Sequence, residues 1–124
     1  MEMNVLQFHQ VVAEALEALP HVFRTHLENV EVVVEEWPSP YVLRTVGASS
    51  PSDVLGFYHG VPQTKRTLSY NLVPPDKISI YQRPIEMRSR TVQDVRRLVS
   101  RVLRHEIAHH FGIDDDRLRE IGAY

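Results

Sequence analysis

The sequence predicts an α+β fold, a small, mostly antiparallel or mixed sheet packed on two main helices. Two stretches with apolar residues at helical spacing stand near the ends of the chain, and short alternating or β-branched runs bounded by turn formers lie between them. With 124 residues, 43% of them hydrophobic, the chain can bury one continuous core, so residues 1–124 read as a single domain.

Asn4 with Gln7 makes a helix cap, and Val5, Phe8, Val12, Leu16 and Leu19 follow at helical spacing until Pro20 stops them. Val30, Val32 and Val34 alternate with Glu31 and Glu35, which predicts a half-buried strand ending near Trp37 and Pro38. Trp37 to Asp53 contains three prolines, one glycine and a serine pair and reads as a long surface loop, with Tyr41 to Val46 as a candidate short strand. Leu55 to His59 reads as the second strand and Ile78 to Tyr81 as the third, and Leu68, Tyr70 and Leu72 alternate between them as a weaker strand or loop. Thr91 with Asp94 caps the second long helix.

In that helix Val95, Leu98, Val99, Val102 and Leu103 fall at i, i+3, i+4, i+7 and i+8 and define an apolar stripe. Arg97, Arg101 and Arg104 take the opposite face, with Arg96 at its flank. Continued at about 100° per residue, the stripe carries His105, Glu106 and His109 on or at its edge, so these side chains are expected to point inward. Gly112 supplies the positive-φ stop, and a short third helix is expected from about Asp114 to Ile121.

The end of the second helix reads H-E-I-A-H-H-F-G-I-D-D-D. Its first five residues match H-E-x-x-H, in which two imidazoles one helical turn apart hold zinc and the intervening glutamate acts on water. The spacing matters because residues i and i+4 share a helix face, so His105 and His109 can converge on one ion. Glu106 lies about 100° away around the helix and is placed as general base, not ligand. An open zinc site uses three protein ligands, and Asp115 stands where H-E-x-x-H-x-x-G-x-x-D puts the third, with Asp114 and Asp116 as substitutes. His110, Tyr58, Tyr81 and Tyr124 are candidates for an oxyanion-stabilising or supporting role. His9, His21, His26 and His59 read as ordinary surface or partly buried histidines.

Composition narrows the function classes. The absence of cysteine excludes disulfides and thiolate ligation of zinc. No run is apolar enough for a membrane span, no charged-then-apolar start marks a signal peptide, and the expected location is cytoplasmic. Residues 1–62 hold eight acids and two bases, whereas residues 63–124 hold eight acids and twelve bases. The basic half lacks the aromatic interleaving of a nucleic-acid binder, and its charges fit a solvated helix face.

From His105 to Asp115 the chain resembles the metzincin pattern with aspartate in the last place, but only nine residues follow Asp115 and no Met-turn is among them. It is more similar to the small bacterial family of minimal zincin-like metallopeptidases. That resemblance extends to Leu55-Gly56-Phe57-Tyr58-His59-Gly60-Val61-Pro62 and Pro75-Asp76-Lys77-Ile78-Ser79-Ile80-Tyr81. It implies a compact zincin-like fold with the active-site helix near the C-terminus and a Zn2+-dependent peptidase site acting on a peptide or protein substrate. An extended substrate would then lie along a sheet edge, for which Gly56 to Gly60 is the candidate. The competing reading is a non-catalytic zincin-like module that binds peptide or protein with a weak or lost metal site.

Overall fold

The computed structural model describes residues 1–60, 75–113 and 116. Among them are five α-helices and three strands, and the architecture is α+β as expected.

Helix α1 spans Val5–Glu17 and opens with a full capping box, in which the Asn4 side chain accepts from the Gln7 amide and the Gln7 side chain accepts from the Asn4 amide. Phe8, Val11, Val12 and Ala15 form its buried face. After Pro20 the chain makes a short helix α2, His21–Arg24, and a 3₁₀ turn that bury Phe23 before strand β1, Val30–Glu35.

The expected loop from Trp37 to Asp53 is largely helical. Helix α3 occupies Pro40–Val46, and a 3₁₀ turn follows at Pro51–Asp53. This replaces the candidate strand at Tyr41 to Val46. The reason is local: Ser39 caps the helix, Pro40 sits where its missing N–H costs nothing, and Gly47 at φ 72° closes it.

Strand β2 is Gly56–His59, strand β3 is Asp76–Tyr81, and the sheet order is β1-β3-β2. β1 runs parallel to β3 and β2 antiparallel to it, so the sheet is mixed. Helix α4, Gln82–Met87, starts directly from β3, and its Pro84 lies in the first turn, where a helix tolerates proline. The alternation of Leu68, Tyr70 and Leu72 lies outside the described residues, as does the short helix expected from Asp114 to Ile121 apart from Asp116.

Helix α5, Val92–His110, is the longest element. Thr91 and Asp94 form its capping box, and the Arg97 guanidinium reaches the Asp94 carboxylate at 2.8 Å. Together the Arg90 amide, Arg97 and the Thr91 amide hold the Asp94 carboxyl below the usual aspartate range.

The sheet separates two apolar layers. Ile78 and Ile80, with Val30, Val32, Val34 and Tyr58, face α1 and α5 and meet Phe8, Val12, Val95, Val99, Leu103 and Ile107 in the main core. Removing each large apolar side chain from water contributes about 1.5–3 kcal/mol. Tyr81 lies on the opposite face under α3, packed with Val42, Val54 and Phe57. Arg96 bridges to Glu14 at 2.8 Å and ties α5 to α1.

Candidate active site

The last two turns of α5 lie along strand β2, and two glycines permit the close approach. A Cβ on Gly56 would stand 2.5 Å from Val102 Cγ1, and one on Gly60 would stand 2.9 Å from His110 Cε1. Midway between them, the Tyr58 amide faces the Glu106 carboxylate and favours its charged form. The contacts 56 to 102, 58 to 106 and 60 to 110 therefore advance together, strand and helix running the same way.

Main-chain pairing explains why the Tyr58 amide is available. The Tyr81 amide donates to the Leu55 carbonyl at 3.0 Å, and the register pairs Phe57 with Ser79 and His59 with Lys77. In an antiparallel ladder, residues of this parity spend their N–H and C=O on the partner strand, and those between them point theirs the other way. Gly56 and Tyr58 thus direct their main-chain groups away from β3.

Glu106 is half-buried. Burial pushes its carboxyl up from the ordinary range, and the Tyr58 amide and the nearby His109 draw it back in part. His105 and His109 are exposed, which corrects the expectation that all three side chains point inward. The cause is a drift of the buried face: Val95, Val99 and Leu103 face the core early in α5, but Ile107 and Ala108 take over in its last turns. Both imidazoles consequently stand on the accessible side of the helix. Among the described residues, neither ring has a hydrogen-bond, ion-pair or aromatic partner.

The helix ends as expected. Gly112 adopts φ 70°, its amide donates to the His109 carbonyl at 3.4 Å, and the Ile113 amide donates to the Ala108 carbonyl at 2.8 Å. Ile113 packs against the core, so the chain folds back under the helix end. Asp114 and Asp115 lie outside the described residues, and Asp116 is exposed. Among the described residues no group of three potential metal ligands comes together.

His110 joins a different assembly. Its ring stacks on Tyr58 at 3.7 Å between centroids, and its Nε2 lies 3.9 Å from an oxygen of Asp76. The same oxygen accepts from the Tyr58 hydroxyl at 2.7 Å, and Asp76 is only 5% exposed. Phe111 extends the aromatic contact to His26, 4.4 Å away. The Tyr58 side chain therefore locks β2 to the helix end while its amide orients Glu106. Asp76 was not among the sequence candidates, although the period-two pattern Gly56-Phe57-Tyr58-His59-Gly60 carried the signal of a strand pressed against another element.

On the other sheet face, Ser79 donates to Glu35 and hydrogen-bonds His59 Nε2 at 3.1 Å. Burial and the neighbouring Lys77 push the His59 imidazole below its ordinary value, against the pull of Glu35. Tyr81 is 1% exposed, and burial pushes its hydroxyl up. His9 and His21 are exposed, in keeping with the sequence reading, and Tyr124 lies outside the described residues.

A cleft of about 620 Å³ opens beside the two motif residues His105 and Glu106. Its walls come from α5, the end of α3 and the start of β2.

The two imidazoles suit a divalent metal: they belong to the same helix face, have no hydrogen-bond or ring partner among the described residues, and flank a carboxylate with reduced hydration. Among the described residues, no helix is long and apolar enough to cross a membrane. No curated protein matches the chain. The model of the zincin-like metallopeptidase family matches residues 27–123, a span running from before β1 through α5 and including both the edge strand and the H-E-x-x-H helix. The chain belongs to the zincin-like metallopeptidase family.

Proposed function

We propose that this protein is a zinc-dependent metallopeptidase that hydrolyses peptide bonds, with Glu106 as general base and His105, His109 and Asp115 as metal ligands. One observation carries the reading: His105 and His109 stand one turn apart with no hydrogen-bond or ring partner among the described residues, beside the half-buried Glu106 carboxylate, whose charge the Tyr58 amide and His109 favour. Bound zinc supplies Lewis acidity to the scissile carbonyl and lowers the pKa of water.

The chain's own residues have separable tasks. His105 and His109 act as neutral imidazole donors, and Asp115 adds a carboxylate oxygen. Glu106 takes a proton from the attacking water and passes it to the departing amine nitrogen. The water oxygen becomes bonded to the carbonyl carbon, the C–N bond breaks, and the two water hydrogens end on the new acid and amine. Burial of Glu106 favours proton uptake, while the Tyr58 amide keeps its carboxylate oriented. The outward-facing main-chain groups of Gly56 and the Tyr58 carbonyl suit an extended peptide laid beside β2.

The test is Glu106→Gln. It should retain one zinc per chain and lose turnover by about 10²–10⁴-fold, the usual worth of a positioned acid–base group. Undiminished hydrolysis would remove Glu106 from the reaction. Zinc content is measured in parallel, and peptide binding without hydrolysis by the zinc-loaded wild type would favour the non-catalytic module.

A further inference from the structure

We propose that the cleft beside His105 and Glu106 holds a carboxylate-bearing part of the substrate, read by Arg101; this rests on the peptidase reading above. Val46, Ala48, Leu98 and Val102 supply apolar lining to the cleft. Its volume lies within the range of sites for small ligands, and Asp53, Arg88, Arg101, His105 and Glu106 stand among its apolar lining.

The charges in the cleft are not equivalent. Arg88 is committed: it donates to the carbonyls of Ser52 and Pro84 and lies 3.7 Å from the Asp53 carboxylate, which offsets its charge. Arg101 is exposed, lines the cleft and has no hydrogen-bond or ion-pair partner among the described residues. Glu106 lies at the other end of the row and would repel a carboxylate close to itself. An anionic group entering the cleft is therefore driven toward Arg101.

Position on the helix sets the distance. Arg101 precedes His105 by one turn, about 6 Å along the axis, and helical side chains lean toward the N-terminus. Its guanidinium therefore reaches away from the motif residues. An extended peptide advances about 3.3–3.6 Å per residue. A carboxylate at Arg101 thus belongs about two residues from the scissile bond, as either an acidic side chain or a free C-terminus. Its aliphatic stem would lie against the apolar lining.

The experiment uses the zinc-loaded protein and a peptide set differing at that position: glutamate, glutamine or lysine, each with a free or an amidated C-terminus. Both kcat/KM and equilibrium Kd are measured. Wild type should favour carboxylate-bearing peptides by about fivefold to tenfold, as expected of a charge-assisted pair in a partly open site. The paired series shows whether the side chain or the C-terminus supplies it. Arg101→Met should bring the ratio close to one, Arg101→Glu should shift preference to lysine, and Arg97→Met, on a residue outside the cleft, should leave the ratio as in wild type.

Equal treatment of charged and neutral peptides by wild type, or a preference surviving in Arg101→Met, would overturn the subsite. If no peptide is cleaved but Kd shows the Arg101-dependent preference, the subsite stands and the peptidase reading fails. If no peptide binds, the subsite is overturned.

Discussion

The two halves of helix α5 use the same amphipathic periodicity for different ends. From Val92 to Leu103 the helix is capped, bridged to α1 through Arg96 and Glu14, and anchored by Val95, Val99 and Leu103. From Arg104 to His110 the buried positions pass to Ile107 and Ala108, and the motif histidines His105 and His109 emerge on the accessible side. Rotating the buried face by part of a turn exposes potential ligands without interrupting the helix. Rigidity is thus supplied by one half and chemistry by the other.

The comparison predicts a double dissociation. Leu103→Ala should destabilise the fold by about 2–5 kcal/mol, measured by denaturant unfolding, while the folded fraction keeps its zinc affinity. His109→Ala should abolish tight zinc binding with little change in the unfolding midpoint of the metal-free protein, because its ring is exposed and has no hydrogen-bond partner among the described residues. Loss of zinc affinity in folded Leu103→Ala would break the division between the halves.

Gly56→Ala probes the boundary between them. Its Cβ would collide with Val102 and approach the Ser79 carbonyl at 3.1 Å, so the expected cost is about 1–3 kcal/mol by thermal unfolding. Gly60→Ala should cost less, since its neighbour is the end of the His110 ring.

The smallest effect belongs to the N-terminal cap. Thr91→Ala should lose about 1 kcal/mol and leave zinc binding intact. The folded Asp94 carboxyl lies below its unfolded value, so its contribution is present above the ordinary aspartate range and fades as pH falls through the folded value. Thermal unfolding from pH 7 to pH 2 should therefore show Asp94→Asn losing its disadvantage in acid. A constant difference would separate the cap from the titration.

Much of this organisation is legible in the residues themselves. Both capping boxes, the alternation of Val30 to Val34 and the positive-φ stop at Gly112 are local signals, and local geometry follows them. Helix α3 was equally encoded by Ser39, Pro40 and Gly47, but its prolines resemble loop composition unless their positions are weighed. The exposure of His105 and His109 was harder to read, because an ideal 100° step continues the early stripe whereas packing selects Ile107 and Ala108. The clamp of Asp76 on Tyr58 joins residues 18 positions apart and depends on strand register, which periodicity alone does not supply.

The pairing of 56 with 102, 58 with 106 and 60 with 110 makes the site a vernier. Two residues of strand advance about 6.6–6.8 Å, and four residues of helix advance about 6.0 Å. The scales agree closely at the centre and diverge by less than about 1 Å at each end, so Glu106 sits where the mismatch is least. One residue added between Gly56 and Tyr58 would turn the tyrosine to the α3 face and put a different amide opposite the carboxylate. This short stretch of strand therefore serves as the gauge against which the reactive turn of the helix is set.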